Sequence, residues 1–201
     1  MTGIAERRDD LRGKDDIRVA RTRQRLIDAF TRAVTSGATP SVASLCREAM
    51  VGRTTFYTHF ATLEDLAVTL VADAFGAIAD ADVEARREGG RSRDRIAYES
   101  LRWVVAELDD LRGILLAGIR LGTRAGVLER LVDLVAEHTR PIVAPSFEDP
   151  AASGIAARFL AAAVVHAVVG WIESDEPVSE GELVTVLAAL LPPFLVSPAG
   201  A

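Results

Sequence analysis

The amino-acid sequence predicts an all-α protein in which an N-terminal three-helix head is joined to a larger helical body. Hydrophobic residues make up 49% of the 201-residue chain, and aromatic residues only 5%. Alanine and leucine dominate the apolar fraction, and both favour helices over strands. Apolar residues recur at helical spacing in one segment after another, and no useful length of chain alternates apolar and polar residues as a strand would.

The first segments are a charged tail and an amphipathic helix. Residues 1–16 carry both charge signs and few apolar residues, a composition typical of a flexible tail. The first helix is predicted over residues 17–36, and its start is rich in arginine, including Arg18 and Arg21. These arginines form either a solvated face or a contact with nucleic-acid phosphates. We favour the second because the run lies close to the segment that follows.

Residues 41–60 predict two short helices with a tight turn between them. The first helix is expected over about Ser41–Ala49, with Ser41 accepting a hydrogen bond from an otherwise unpaired backbone N–H. The turn is expected at residues 50–52, and the second helix over Arg53–His59. This pattern is that of a helix-turn-helix unit.

The second short helix has the composition of a surface that reads DNA. Phe56 and Phe60 are four residues apart, so they share the inward face. Its outward face is predicted to carry one arginine, three threonines and a tyrosine: Arg53, Thr54, Thr55, Tyr57 and Thr58. Arginine can pair with guanine O6 and N7, threonine can touch a thymine methyl group, and tyrosine or histidine can reach a phosphate.

This segment resembles the helix-turn-helix of the TetR family of bacterial transcriptional regulators. The resemblance covers about residues 18–70, and beyond it only a helical pattern matches. The residues that carry it are Leu45, Ala49, Val51, the string TFYTHF at residues 55–60, and Leu66. Two residues depart from the family pattern. Met50 occupies a turn position that usually holds glycine, and Leu63 stands where a phosphate-contacting lysine is often found.

The resemblance implies a regulator that binds a pseudo-palindromic double-stranded DNA operator as a homodimer, more often as a repressor. It also implies a small-molecule effector of unknown identity and no cofactor. We therefore expect a helix-turn-helix DNA-binding domain over residues 17–62 and a ligand-binding and dimerisation domain over residues 63–201. The predicted DNA contacts are Arg18, Arg21, Ser41, Ser44, Arg53, Thr54, Thr55, Tyr57 and His59.

The charge distribution supports a nucleic-acid partner although the whole chain is acidic. The net charge is −6. Residues 17–60 hold seven arginines against two acidic residues, a balance of +5, whereas residues 61–201 hold twelve arginines against twenty-two acidic residues, a balance of −10. A basic head on an acidic body can bind a polyanion at one end and repel it elsewhere.

The body is predicted to contain six helices, over residues 63–87, 93–110, 114–121, 127–139, 151–174 and 180–191. Thr62, Ser92 and Ser179 are the predicted N-caps of three of them, and Ser179 with Glu182 has the spacing of a capping box. A loop is predicted at three prolines: Pro141, Pro145 and Pro150.

The middle of the body is predicted to hold the effector. Apolar walls with a few convergent polar groups are typical of small-molecule pockets. Tyr98, Trp103, Arg120 and His138 are the unusual side chains of this region, and we expect them to line the pocket. The alternative is that Trp103 belongs to the core and Arg120 is solvated.

The last two helices are too apolar for the surface of a monomer, and they predict a four-helix dimer interface. The predicted interface residues are Ala162, His166, Gly170, Leu183, Leu187 and Leu190. The stretch over residues 155–171 approaches the length of a membrane span. We expect no membrane partner, because Arg158 lies inside the stretch, an acidic run follows it, and no second span is present.

Other classes of protein fit less well. The sequence lacks a glycine-rich phosphate loop, an HExxH motif and a cysteine pair for zinc, so we expect no enzyme activity, catalytic residues or metal site. Its one cysteine, Cys46, is expected to be a small core residue, and its isolation fits a reducing cytoplasm. Two alternatives stay open: an architectural DNA-binding dimer without a ligand, and a helical small-molecule binder with a vestigial head.

Overall fold

The computed structural model describes the backbone of residues 3–197 and the side chains of residues 17–197. Over this range the regular elements are all helical, which confirms the predicted all-α class. The helices are α1 (Gly3–Thr35), α2 (Val42–Glu48), α3 (Arg53–His59), α4 (Leu63–Glu88), α5 (Arg93–Asp110), α6 (Arg112–Leu121), α7 (Arg124–Val143), α8 (Pro150–Glu173), α9 (Glu180–Ala189) and α10 (Pro193–Val196), with a 3-10 turn at Ala144–Ser146.

Helix α1 is longer than the sequence pattern predicts, since it begins at Gly3 rather than at residue 17. The apolar stripe that marks the helix starts only near residue 17, and the charged residues before it give no periodic signal. The predicted flexible tail, residues 1–16, falls on residues whose side chains lie outside the described part of the chain. Its flexibility therefore stays a prediction.

The predicted proline loop is shorter than expected, because α7 continues through Pro141 to Val143. A proline inside a helix leaves the carbonyl four residues earlier without its N–H partner. Pro141 and Glu137 are both exposed, so water can hydrate that carbonyl. Pro150 occupies the first turn of α8, where its missing N–H costs nothing, and the Asp149 carboxylate accepts from the Ala151 N–H at 2.8 Å.

The chain forms two compact units, one up to Leu66 and one from Ala67 onward. The first unit, the head, contains α1, α2, α3 and the first turn of α4. Its core is fully buried and is built from residues of all four helices: Leu26, Phe30, Leu45, Phe56 and Leu66. An ion pair of 2.6 Å between Arg32 and Glu48 joins α1 to α2 at the surface.

The second unit, the body, contains the rest of α4 and the later helices. Helix α7 packs along α8, and α5 packs against α9. Arg158 of α8 forms ion pairs with Glu129 and Asp133 of α7. The predicted capping box is present at α9, where the Ser179 hydroxyl accepts from the Glu182 N–H and the Glu182 carboxylate accepts from the Ser179 N–H.

Helix α8 is long and apolar enough to cross a membrane by length and composition alone, with a mean hydropathy of 1.9. A buried helix of a helical bundle has the same composition. In this structure α8 packs along α7, and Arg158 in its middle pairs with two acidic side chains of that neighbour. These contacts bury one side of α8, while other apolar residues of the helix, such as Phe159, stay exposed in the single chain.

Candidate nucleic-acid interface and body cavity

Helix α3 presents a polar surface over a buried aromatic base. Arg53, Thr54 and Tyr57 are exposed, whereas Phe56 on the opposite face is completely buried. The Tyr57 ring meets the Phe56 ring edge to face, with centroids 5.3 Å apart. The helix bounds agree with the prediction. The division between outward and inward residues agrees as well, except at Thr55, which is half-buried. The exposed side chains are free to reach into a groove of DNA.

The remaining residues of α3 are less available for contact. The Thr58 hydroxyl donates to the Thr54 carbonyl at 3.0 Å. Thr55 and His59 are half-buried. The centroid of the His59 ring lies 6.3 Å from the centroid of the Phe60 ring. The exposed residues of α3 are Arg53, Thr54, Tyr57 and Thr58. Direct contacts are best made by the first three, because the Thr58 hydroxyl is already bonded within the helix.

Ser41 and Ser44 form a capping box at the start of α2. The Ser41 hydroxyl accepts from the Ser44 N–H, and the Ser44 hydroxyl accepts from the Ser41 N–H, both at 3.1 Å. The Ser44 hydroxyl also donates to the Ser41 carbonyl at 2.9 Å. These groups stabilise the helix end, so the DNA contacts predicted for the two serines would have to compete with the cap.

A basic groove lies between α1 and the turn that precedes α3. It has a volume of about 640 Å³ and includes the predicted contact residues Arg18 and Arg21 together with Thr55. Arg25, which belongs to the predicted arginine-rich start of the helix, and Thr22 line it as well, although neither is among the individual DNA contacts predicted above. They lie on the same face of α1 as Arg18 and Arg21, and this helical spacing could have identified them.

Met50 closes the turn between α2 and α3 in a left-handed conformation, with φ of 55°. The Val51 N–H donates to the Cys46 carbonyl at 2.9 Å, and the Met50 N–H donates to the Arg47 carbonyl at 3.3 Å. This is the Schellman pattern, in which glycine is the usual left-handed residue. The Met50 side chain is 82% exposed, so little packing offsets the cost of holding a residue with a Cβ in the left-handed conformation.

Replacing Met50 by glycine is expected to stabilise the head by about 0.5–1 kcal/mol, because glycine adopts this conformation without the penalty that a Cβ imposes. Denaturant unfolding of the two proteins measures the difference. Met50→Ala is the matched control, since it shortens the side chain but retains the Cβ, and it should give no such gain. Equal stability of the glycine and alanine variants would show that Met50 carries no strain.

Cys46 behaves as a core residue, as predicted. It is buried, and this burial raises the pKa of its thiol, although the nearby Arg53 charge acts in the opposite direction. The thiol therefore stays protonated at neutral pH and is a poor nucleophile.

The body contains a mainly apolar cavity of about 110 Å³ lined by residues of α4, α5, α7, α8 and the C-terminal segment. Its walls are mainly apolar and include Phe75, Leu101 and Leu160. His138, one of the four predicted ligand residues, lines it. The His138 ring packs over Gly76, where a Cβ would come within 2.8 Å of the ring.

The other three predicted ligand residues do not meet His138. Trp103 is 62% exposed and lines a separate groove between α4 and α5. Tyr98 is exposed on another side of α5, and Arg120 is exposed on α6. The expectation that the four side chains converge on one pocket is therefore wrong. The stripe that α5 buries contains Ile96, Val104 and other aliphatic residues, and the two aromatic residues flank it.

The predicted dimer residues divide into two groups. Leu183 and Leu187 are buried within the chain, so they belong to the body core rather than to an exposed face. Ala162 is half-buried, whereas His166, Gly170 and Leu190 are exposed. The His166 Nδ1 donates to the Ala162 carbonyl of its own helix at 2.9 Å.

Exposed apolar residues continue this surface along α8 and α9. Ile155 and Phe159 lie four residues apart on α8, and Val186 and Leu190 lie four apart on α9. Each is more than half exposed. The prediction missed Ile155, Phe159 and Val186, although their spacing with Ala162, His166 and Leu190 places them on the same faces.

No group of three or more histidine, cysteine, aspartate or glutamate side chains is arranged to hold a metal ion within the part of the chain that the structure describes.

Solved structures of bacterial regulators share this fold. FadR of Thermus thermophilus, a TetR-family transcriptional repressor in complex with lauroyl-CoA, has a TM-score of 0.64 at 16% identity, over 89% of this chain and 98% of that chain. RolR in complex with resorcinol has a TM-score of 0.58 at 17% identity, over 92% of this chain and 98% of that chain. The R. erythropolis repressor QsdR, from the TetR family, has a TM-score of 0.55 at 15% identity, over 85% of this chain and 94% of that chain.

No protein-family profile matches the sequence, and no curated protein matches it. The structural likeness shows that the chain has the fold of TetR-family regulators, as the helix-turn-helix residues predict.

Proposed function

We propose that the protein is a ligand-responsive transcriptional regulator that binds a pseudo-palindromic DNA operator as a homodimer, most simply as a repressor. The observation that carries the proposal is the surface of α3. Three exposed side chains suited to DNA, Arg53, Thr54 and Tyr57, stand on a helix anchored by the buried Phe56. The basic groove beside it supplies arginines for phosphate contacts.

The exposed apolar face of α8 and α9 supports the homodimer. Ile155 and Phe159 expose apolar area on α8, and Val186 and Leu190 expose more at α9, whereas soluble monomers rarely expose large apolar patches. A Cβ at Gly170 would meet no atom within 4 Å, so a second helix has room to approach there. Pairing with the same face of a second copy buries this surface in a four-helix interface.

The body cavity supports the response to a ligand. It is lined mainly by apolar side chains, as expected for a small-molecule site. FadR of T. thermophilus and RolR, which share the fold, were solved in complex with lauroyl-CoA and resorcinol. Helix α4 is continuous from the head into the body, and Phe75 and Ile78 of α4 line the cavity. A ligand that changes the packing of α4 can thereby alter the spacing of the two heads and release DNA.

Arg53→Ala is expected to weaken operator binding by about 1–3 kcal/mol and to relax the preference at one base pair, because in this proposal the exposed Arg53 reads a base edge. Tyr57→Phe is the matched comparison on the same helix. It removes one hydroxyl placed for a phosphate and should weaken binding to all sequences nearly equally. Fluorescence anisotropy with the operator and its single-base variants measures both effects. A uniform loss across sequences for Arg53→Ala would contradict its role in base reading.

A further inference from the structure

Three polar side chains form a cluster in the wall of the body cavity. The Asp82 carboxylate, which is 5% exposed, is paired with the Arg86 guanidinium one turn along α4. It also accepts a hydrogen bond of 2.7 Å from the Ser100 hydroxyl of α5. Arg86 donates further to the Leu195 carbonyl of α10 at 2.9 Å. The cluster therefore joins three helices around one end of an otherwise apolar space.

The cluster carries no net charge, yet it retains hydrogen-bonding capacity. A guanidinium has five N–H donors, and Arg86 uses three of them on Asp82 and Leu195. The Ser100 hydroxyl donates to Asp82, which leaves its oxygen able to accept. A ligand group placed here finds both donors and acceptors close together.

The cluster also stands where two spaces meet. Ile78, Asp82 and Ser100 line the inner cavity and also the outer groove between α4 and α5, which has a volume of about 430 Å³. The inner space is bounded by Phe75, Leu101 and other apolar side chains.

We infer that the cavity binds an electrically neutral amphiphile, whose hydroxyl or carbonyl group bonds to the Asp82–Arg86–Ser100 cluster and whose apolar body fills the inner space. This inference rests on the proposed function and names its ligand class. A carboxylate would gain from Arg86 but would face the buried Asp82, and an ammonium group would face Arg86. Either ion would also lose its hydration in an apolar space, whereas a neutral hydroxyl loses far less.

His138 is the other ionisable side chain of the cavity wall. A site read by a charged His138 ring would instead prefer a fatty-acid anion over an alcohol, because an imidazolium pairs with a carboxylate. Reading by His138 and reading by the Asp82–Arg86–Ser100 cluster therefore predict opposite orders of affinity for the anion and the alcohol.

The test compares 1-octanol, octanoate and octylammonium, which have the same chain length but different charge, on the full-length protein below their micelle concentrations. Isothermal calorimetry measures affinity, and Trp103 emission in a Trp171→Phe background reports occupancy near the outer groove. We expect 1-octanol to bind at least about tenfold more tightly than either ion. We expect Ser100→Ala to weaken 1-octanol about three- to tenfold, the effect of one lost hydrogen bond.

Ser36→Ala, which removes a hydroxyl from the head, is the matched control and should leave 1-octanol affinity unchanged. Tighter binding of either ion, no binding of any of the three probes, or an unchanged affinity in Ser100→Ala would overturn the inference. Operator binding by the same preparation separates the two proposals. A protein that still prefers an operator, and releases it to a charged ligand, contradicts only the neutral-ligand inference. A protein that binds DNA without preference contradicts the proposed function.

Discussion

Leu187→Glu is expected to unfold the body, whereas Leu190→Glu is expected to give a folded monomer. Both leucines belong to the C-terminal apolar stripe of the sequence, but Leu187 is 6% exposed and Leu190 is 75% exposed. A glutamate at position 187 would place an unpaired charge in the core, at a cost of several kcal/mol, which is comparable to the whole stability of a domain. At position 190 the charge disturbs only the surface proposed to meet a second copy.

Circular dichroism and sedimentation velocity together separate these outcomes. Leu190→Ser is a milder partner variant, which should weaken the dimer less than Leu190→Glu. Because the operator has two half-sites, the folded monomer should also lose most of its affinity for the full site. Intact dimers of folded Leu190→Glu at micromolar concentration would show that α9 does not form the interface.

Phe56→Ala is expected to unfold the head and leave the body folded. Phe56 is completely buried in the core of the head. The centroid of its ring lies 5.9 Å from the centroid of the Phe60 ring. Truncating a buried phenylalanine to alanine costs about 3–5 kcal/mol. The head is a small unit with a small core, so it has little stability to lose.

Hydrogen exchange resolved along the chain measures the effect in each unit separately. Amides of α1, α2 and α3 should lose protection in Phe56→Ala, while those of α7 and α8 should retain it. Tyr57→Ala is the matched control, because the neighbouring ring is mainly exposed and the head should stay folded. Loss of protection in α7 and α8 as well would mean that the two units unfold as one.

The helix-turn-helix could be predicted closely because its signals are local. The Ser41 cap, the turn at Met50 and the i, i+4 spacing of Phe56 and Phe60 each act within a few residues, so α2 and α3 agree with the prediction to within one residue at each end. The start of α1 could not be predicted in this way, because its first turns lack an apolar stripe to mark them.

The ligand site could be predicted only in part, because it depends on which helices enclose it. Tyr98 and Trp103 are five residues apart on α5, so helical periodicity already places them on different sides of the helix. The prediction relied on the types of these side chains and did not take their spacing into account. Asp82 could have been found, since it continues the buried stripe of Phe75 and Ala79 on α4 and is an acidic residue in an apolar row.

The dimer face shows a different limit of the sequence. The apolar stripe of α9 includes Leu183, Leu187 and Leu190, and nothing in their spacing tells which of them face the body core. That division is set by the packing of α9 against α5, which is a tertiary contact. The sequence could identify the apolar helix proposed to pair, but not which of its side chains are exposed.

Enrichment of random DNA duplexes on the purified protein tests the central claim most directly, because the claim requires both base reading by α3 and two-fold pairing of the body. We predict that the bound duplexes converge on an inverted repeat, with half-site centres separated by about one helical turn or a multiple of it. Within each half-site, the Arg53→Ala protein should lose the preference at one position. Recovery of duplexes with no common sequence after repeated rounds would contradict the assignment of the protein as a regulator that reads an operator.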